Sequence, residues 1–514
     1  MAKKRDFIVT AEEYAYGYII NALAGGLYPN KFHVLREYIQ NGYDAIANWK
    51  ATRRRAKCRI KIVTQKPSIF VYDDGTGMDR HTLNEYRKVG FSKKLVGEFA
   101  GFRGIGKLAG VSVAKKLIVL TSVYGVNEKY TLTFDCEAML REVDELKQKR
   151  ENISLNKLIE KHTELTSDTE KRNTHYTVVE LHDIRSDSKI LFDTVQLAHY
   201  ISRNAPVPFN PDFEHATEIE QDILQFVEDY DRADISLDGK KIYKPFAHNL
   251  KQPKHIIVWG GKSRDERKAF CWYSENAGKG QVRPTDISGL VYRYKNFAVG
   301  DNYLTRKTIW RTSPHLAFYF MGEVYITEPK IMPTSQRDDF EQSEERDDFY
   351  EDAKVIANEL NRIARTSSGV RRAHEYVTKG ASIVSTIDKE IKRKEPYLRD
   401  LSVEKIAQLS NVVTDIDKRK RNIPDEDKKT KMLAKRVVTK AKGLLDEFER
   451  VGKAGRKEFD IVNKLNLGKE SAKVYNTVIR TLKDLYVNRP DEMEKIIKAI
   501  HRNLMKTFKR KRAN

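Results

Sequence analysis

Glu37, Asn41 and Asp44 recur at separations of four and three residues. In a helix this spacing places all three side chains on one face, within about one and a half turns. A carboxylate can act as a general base and a carboxamide oxygen can bind a hard cation, so such a face could do chemistry. Most charged helix faces are simply solvated, and that interpretation stays open for this segment taken alone.

A second polar segment, Asp73 to Met78, follows the apolar, strand-like run Ile69 to Tyr72. It reads Asp-Asp-Gly-Thr-Gly-Met. Glycines beside a carboxylate permit positive φ angles and a close approach of the backbone to a ligand. An ordinary turn would use the same residues, so this motif by itself is weak evidence for a ligand site.

The third segment, Gly101 to Gly110, is a glycine-rich turn that should open a helix. Free backbone N–H groups and the helix dipole could hold phosphates there. Gly101 and the pair Gly106-Lys107 imitate a Walker A loop, but Leu108 stands where that loop needs Ser or Thr. The later glycines miss the dinucleotide fingerprint by one residue. The sequence therefore argues against both of those phosphate-binding families.

These segments occur in one order along the chain, and Thr177 follows within Thr-Val-Val-Glu-Leu. Together they resemble the GHKL ATPases, the superfamily of gyrase B, heat-shock protein 90, histidine kinases and MutL. The joint occurrence is more specific than any single motif, and the resemblance covers residues 15–185. It implies an α/β (α+β) Bergerat-fold ATPase domain that binds ATP and Mg²⁺ beneath a glycine-rich lid at residues 78–110.

The resemblance also implies roles for the matching residues. Glu37 corresponds to the general base that activates the attacking water, and Asn41 to the ligand of Mg²⁺. Asp73 corresponds to the aspartate that accepts the adenine amino hydrogen, and Thr177 to the threonine that supports this contact. Further nucleotide contacts are implied for Asp44, Gly75, Gly77, Met78, Ser92, Lys93, Gly101, Phe102, Arg103, Gly104, Ile105, Gly106 and Lys107.

Two members of that set keep an alternative. Asp44 could orient the other groups of the first helix without touching the nucleotide. Lys93 could equally be a solvated basic residue of the lid.

Hydrolysing relatives complete the site with a basic residue from the next domain. The segment Pro333–Phe340 lies in the expected place, and Arg337 is its basic residue. The segment resembles the heat-shock-protein-90-type loop in which an arginine reaches back to the phosphates, and a guanidinium fork suits developing phosphoryl charge. A helix amino-terminus capped by Thr334 or Ser335 would explain the same residues, and both interpretations can hold at once.

The local detail resembles the hydrolysing branch rather than the kinases. Glu37 precedes the pair Asp44-Ala45, which kinases usually lack. Kinases also place a phosphoacceptor-histidine helix ahead of the ATP domain, whereas His33 is the one histidine among the 36 residues before Glu37. Histidine kinase activity is therefore not expected.

Hydrophobic periodicity predicts the elements that must position these residues. In the predicted ATP-binding domain, residues 1–203, it predicts helices at 14–24 and 32–50 and strands at 59–63, 69–72, 117–120 and 176–181. Residues 137–175 are predicted as a polar surface insertion without a strand. A mixed α/β, transducer-like domain is predicted at 204–348, with strands at 256–259, 289–294 and 319–326. Residues 349–514 are predicted as a basic helical region.

The formal net charge is +22, from 95 Lys and Arg against 73 Asp and Glu. Residues 351–514 hold 41 basic and 24 acidic residues, a net of +17, which leaves +5 for the first 350. A polyanion such as DNA or RNA is a plausible partner for this region, although a merely solvated helical surface would look the same. Aromatic residues are sparse there, so base stacking and sequence-specific recognition are not expected.

The composition, 40% hydrophobic and 33% charged, excludes collagen-like and wholly disordered chains. No apolar run approaches the roughly 20 residues of a membrane-spanning helix, and no secretory signal is recognisable. Cys58, Cys136 and Cys271 lie too far apart in sequence for a disulfide framework or a zinc motif. We expect a soluble, cytoplasmic protein without membrane partners.

Three functions fit these observations. The first is an ATP-gated homodimeric clamp or remodelling ATPase acting on nucleic acid, similar to MutL, MORC or a topoisomerase VI B subunit. The second is a chaperone-like ATPase acting on client proteins, similar to heat-shock protein 90, or the ATPase of a bacterial defence system with partner subunits. The third is a nucleotide-binding interaction protein with negligible hydrolysis. The homodimer is implied by the family resemblance alone, as is a slow cycle limited by lid closure.

Overall fold

The computed structural model describes most of the chain and divides it into two compact units, residues 1–361 and 362–514. The described residues are 20, 29–52, 59–88, 106–151, 153–246, 250–260, 266–277, 280–284, 286–392, 402–451, 474–475, 477–479, 481–482, 492, 495–500 and 502–503. The helix predicted at 14–24 lies almost wholly outside them. Among the described helices, none is both long and apolar enough to cross a membrane.

An eight-stranded sheet organises the first part of unit one, in the order β5-β4-β3-β6-β2-β1-β7-β8. The strands are β1 Arg59–Gln65, β2 Ser68–Asp73, β3 Ala114–Ser122, β4 Glu128–Asp135, β5 Thr163–Thr169, β6 Tyr176–Ile184, β7 Asp234–Leu237 and β8 Lys240–Lys241. Neighbouring strands pair antiparallel except β1 and β7, which pair parallel. This sheet therefore takes two strands from beyond residue 204, where the second domain is predicted to begin.

The four strands predicted in this region are confirmed as parts of β1, β2, β3 and β6. The expectation that residues 137–175 contain no strand is wrong, because β5 pairs with β4 at the edge of the sheet. Five of the seven residues of β5 are exposed. An edge strand of this kind buries little apolar surface, so no hydrophobic alternation marks it in the sequence.

Helices pack on this sheet around one apolar core. They are α1 Phe32–Thr52, α2 Arg80–Tyr86, α3 Cys136–Lys149, α4 Leu155–Lys161 and α5 Thr194–Asn204, with 3-10 helices at Gly106–Ser112 and Ser186–Phe192. The side chain of Asn30 accepts the N–H of Phe32 at 3.0 Å, which satisfies a free donor at the start of α1. Leu35, Ile39 and Ile46 of α1 are buried in the core. This anchoring confirms the predicted helix at 32–50 and fixes the direction of its polar face.

A five-stranded sheet follows, in the order β12-β11-β13-β10-β9. Its strands are β9 Lys254–Trp259, β10 Arg267–Glu275, β11 Gly289–Tyr294, β12 Phe297–Val299 and β13 Phe320–Ile326; its helices are α6 Ala216–Phe226, α7 Asn302–Thr308 and α8 Glu344–Asp352, with a 3-10 helix at Pro314–Tyr319. The three strands predicted here are confirmed as β9, β11 and β13.

A buried ion cluster lies at the centre of this second sheet. The carboxylate of Glu323 accepts from Lys244 at 2.7 Å and from Arg293 at 2.6 Å. Burial alone would raise the pKa of Glu323, but the two neighbouring cations hold it at about 2. Because removal of one partner would leave an uncompensated buried charge, the cluster holds β11, β13 and the segment after β8 in one arrangement.

The helical character predicted for residues 349–514 is confirmed for the described part by three long helices, α9 Lys354–Lys392, α10 Ser402–Arg419 and α11 Lys428–Val451. Their apolar residues recur at helical spacing and meet in one core, as Val377, Leu409 and Val437 show. Each helix therefore presents a polar side outward.

Candidate active site

The polar face of α1 carries the first group of predicted site residues. Glu37 and Asn41 are half-buried, whereas Asp44 is fully buried. The guanidinium of Arg36, itself buried, donates to Oε1 of Glu37 at 3.2 Å. The carboxylate of Glu37 is therefore oriented by a neighbouring cation at the border between core and solvent.

The 3-10 helix Gly106–Ser112 packs directly on this face. A Cβ at Gly106 would lie 2.1 Å from Oε2 of Glu37, so the backbone of Gly106 lies directly against this carboxylate. The hydroxyl of Tyr38 on α1 accepts the N–H of Gly110 at 2.7 Å and can donate to the carbonyl of Lys107 at 3.4 Å. The end of the predicted phosphate-binding segment thus lies against the predicted general base.

Lys107 lies close to α2. Its ammonium donates to the carbonyl of Glu85 at 3.1 Å and lies 5.8 Å from the ring centroid of Tyr86. Burial lowers the pKa of Lys107 to about 8, with the charge of Glu85 opposing the change. In this structure the ammonium is held at the carboxyl end of α2.

The predicted adenine residues lie in one row across three strands. Asp73 ends β2, its cross-strand partner on β6 is Thr177, and the partner of Thr177 on β3 is Thr121. Cross-strand partners lie on one face of a sheet, so the three polar side chains are neighbours. The hydroxyls of Thr177 and Thr121 are 3.3 Å apart. Asp73 and Thr177 were predicted from the sequence, and the structure adds Thr121.

Hydrogen bonds to Asp73 and Thr121 fix the loop that follows β2. Oδ1 of Asp73 accepts the N–H of Gly75 at 3.0 Å, and the hydroxyl of Thr121 accepts the N–H of Met78 at 2.9 Å. Gly77 between them has φ of 68°, a conformation that favours glycine. Nδ1 of His175 donates to the carbonyl of Gly75 at 2.7 Å. The loop therefore has a defined shape, in which the carboxylate of Asp73 is held at its base.

Arg337 lies in a tight turn closed by a β-bridge between Pro333 and Phe340. It has φ of 55°, and its guanidinium carbon is 5.5 Å from the ring centroid of Phe297. The proposed capping of a helix by Thr334 or Ser335 is wrong, because no helix begins there. The next helix, α8, is capped by Ser343, whose hydroxyl accepts the N–H of Arg346 at 3.1 Å.

The turn reaches α1. Arg36 donates to the carbonyl of Gln336 at 3.2 Å and to Glu37 at the same distance, so one guanidinium joins the turn to the predicted base. Burial, followed by the charge of Arg36, lowers the pKa of Arg337 to about 10, and Glu37 opposes this change. Arg337 and Glu37, 300 residues apart in sequence, are therefore within electrostatic range of each other.

Several predicted site residues lie outside the described part of the chain. They are Ser92, Lys93, Gly101, Phe102, Arg103, Gly104 and Ile105.

Other contributors were not predicted. In the sequence, Arg36 looks like an ordinary surface arginine. Its position directly before Glu37 was the one feature that could have indicated a role in the site. Burial is also the main cause that raises the pKa of Tyr200 on α5 to about 12, with Arg36, Glu37 and Arg337 all acting on it. These residues become recognisable only once α1, α5 and the Pro333–Phe340 turn are assembled.

The donor set fits a magnesium nucleotide better than a protein-caged metal. Among the residues that the structure describes, no three His, Cys, Asp or Glu side chains are grouped so as to hold a metal ion. Mg²⁺ commonly takes only one or two protein ligands and completes its shell with water and substrate phosphates. The carboxamide of Asn41, one turn from Glu37, is compatible with that mode.

Residues 30–177 match the family model described as histidine kinase-, DNA gyrase B-, and HSP90-like ATPase. The match includes α1, the Asp73 loop and the 3-10 helix Gly106–Ser112, and its last residue is Thr177. A search of curated proteins gave no match.

Proposed function

Because residues 30–177 form a GHKL-type ATPase domain, we propose that this protein binds Mg-ATP and hydrolyses it to drive a conformational change. The observation that carries the proposal is the meeting of two distant segments with α1 at Glu37. Gly106 lies against its carboxylate, Arg36 donates to it, and the Arg337 turn is held next to it.

Each residue has a chemical task in this proposal. Glu37 accepts the proton of the attacking water, and Arg36 keeps its carboxylate in one orientation. Arg337 stabilises the negative charge that develops on the transferred phosphoryl group. Mg²⁺, when bound with ATP, neutralises phosphate charge, and Asn41 would hold it. Asp73 accepts the adenine amino hydrogen, with the Thr177 and Thr121 hydroxyls beside it.

Nucleic acid is the macromolecule on which we propose that the ATPase acts, with lid closure and dimerisation following ATP binding. The net charge of +17 in residues 351–514 supports this choice. A chaperone-like or defence-system ATPase acting on proteins is the second candidate. The resemblance of the Arg337 turn to the heat-shock-protein-90-type loop favours it. A nucleotide-binding protein with negligible hydrolysis is the third candidate.

Replacing Glu37 tests the proposed chemistry. We expect Glu37→Ala to lower kcat by at least about 100-fold, because the general base is lost, while ATP affinity changes by only a few-fold. Steady-state turnover and calorimetric ATP titration measure the two quantities. Glu145→Ala, an exposed carboxylate on α3, is the control and should leave both unchanged. Wild-type turnover in Glu37→Ala would remove this residue from the mechanism, and a wild-type protein that binds ATP without turnover would favour the third candidate.

A further inference from the structure

One side of α11 carries an ordered array of basic residues, which we call the basic face. Lys428, Lys435 and Lys442 follow one another at seven-residue spacing, and Lys429 and Arg436 form a second, parallel row. Seven residues of helix rise by about 10.5 Å, so the longer row extends over about 21 Å. All five side chains are exposed.

The opposite side of α11 is fixed in the core of the helical unit. Ala434, Val437, Ala441 and Leu444 are buried there. At 100° per residue, the two basic rows fall on the side of the helix turned away from these four positions. The basic face is therefore presented outward by the packing of the helix.

The stability of the helix does not explain these charges. From Lys428 to Lys442 there are seven basic residues and no acidic one. Lys440 pairs with Asp388 at 2.7 Å and Lys431 pairs with Asp425, but within the described part of the chain no ion pair involves the five residues of the basic face. Positive charges in the first turn of a helix also oppose the helix dipole. The like charges of the basic face therefore repel one another, and no ion pair among the described residues offsets this repulsion.

A regular polyanion fits this array better than other anionic surfaces do. Duplex nucleic acid carries closely and evenly spaced phosphates, and a row of cations along a helix gains affinity by releasing their counterions. A helix that lies on a bilayer inserts its apolar side into the acyl boundary. Ala434, Val437, Ala441 and Leu444 of α11 are already buried in its own unit. Met432 and Leu433 are its exposed large apolar side chains within the described residues, too few to form an inserting side.

We propose that the basic face of α11 is the docking surface for the phosphate backbone of a duplex nucleic acid. This inference rests on the proposed function, because it names the site at which the nucleic acid would bind. The contact is to phosphates and carries no base specificity, in keeping with a basic face made of four lysines and one arginine.

The test compares two triple variants of the full-length protein with equal change in charge. The first, K435Q/R436Q/K442Q, removes most of the basic face; the second, K147Q/K149Q/K157Q, removes three exposed lysines of α3 and α4. Fluorescence anisotropy measures the affinity for a labelled duplex DNA and a duplex RNA of the same sequence, between 50 and 200 mM salt. For DNA we expect the slope of log affinity against log salt to become shallower by about 2 to 3 in the first variant only. We also expect a loss of affinity of at least about tenfold at 50 mM salt.

Four results would overturn the inference. They are equal losses in the two variants, an unchanged salt slope in the first variant, no duplex binding by the wild type, and, when phosphatidylserine vesicles are titrated in the same assay, a defect confined to the vesicles. Basal ATP turnover should be unchanged in both variants and neither should lose thermal stability, because the substituted side chains are exposed and far in sequence from Glu37. The binding readout does not require hydrolysis, so failure of the ATPase proposal and failure of this inference are distinguishable.

Discussion

Asp73 shows how a single residue acquires its properties from its place in the sheet. It is the last residue of β2, it is buried, and Thr177 is its cross-strand partner. The sequence predicted this pair through motif order. Thr121 was not predicted, because a threonine in an apolar strand looks like any other β-branched residue.

Asp73→Asn should weaken nucleotide binding itself. The substitution replaces the proposed charged acceptor of the adenine amino group with a neutral amide, and hydrogen bonds to charged groups contribute about 1.5–3 kcal/mol. We therefore expect ATP affinity to fall by about 10- to 100-fold in calorimetry. Asp168→Asn, which changes an exposed carboxylate of the edge strand β5, should bind ATP as the wild type does. Equal affinity in Asp73→Asn and the wild type would contradict the assignment of this residue to the adenine.

At the scale of elements, α1 must approach the end of β2 closely. A Cβ at Gly42 would lie 2.9 Å from the Cβ of Asp73, which leaves no room for a side chain. The pair Asn41-Gly42 therefore combines a predicted cation ligand with the contact that sets the distance between helix and strand.

This contact can be tested with two glycines in helices. Gly42→Ala should lower ATP affinity, because the new methyl group must push α1 or Asp73 aside. Gly443→Ala in α11 is the matched control, since nothing lies within 4 Å of its added Cβ. Both changes gain helix propensity, worth up to about 1 kcal/mol, so we expect the control to raise thermal stability without affecting ATP binding. ATP titration and thermal unfolding of both variants decide the matter, and unchanged affinity in Gly42→Ala would show that α1 can move without consequence.

The Arg337 turn is the other element that joins distant parts of the site. Arg36 on α1 donates a hydrogen bond to the carbonyl of Gln336 in this turn, which follows the second sheet. A shift of α1 would therefore displace the turn directly. Such a connection is suited to transmit the state of the nucleotide to the rest of unit one.

At the scale of the whole molecule, the net charge of +17 in residues 351–514 suggests a test that separates the nucleic-acid-dependent ATPase from the chaperone-like ATPase. We expect duplex nucleic acid to stimulate ATP turnover, and the stimulation to fall between 50 and 200 mM salt as phosphate contacts are screened. Turnover measured with duplex DNA, duplex RNA or an unfolded protein, each at both salt concentrations, tests this. Stimulation by the unfolded protein alone would instead support the chaperone-like candidate.

The sequence by itself determined the parts of the site whose geometry is local. Glu37, Asn41 and Asp44 share a face because helical spacing follows from backbone geometry. The order of the motifs predicted the resemblance to GHKL ATPases that the family model supports for residues 30–177. Seven of the thirteen described strands, β1, β2, β3, β6, β9, β11 and β13, were predicted from their hydrophobic pattern. The sequence analysis did not predict β4, β5, β7, β8, β10 and β12. Of these, β5 buries too little apolar surface to leave a pattern, and β7, β8 and β12 have only two to four residues.

Only the tertiary structure decided which distant segments meet. It brought Gly106 and the Arg337 turn to Glu37, and it aligned Thr121 with Thr177. Alternation along a strand indicates which side chains share a face but not which strand will be its neighbour or in what register. Those pairings depend on the collective burial of apolar surface across the unit, and no short stretch of sequence contains that information.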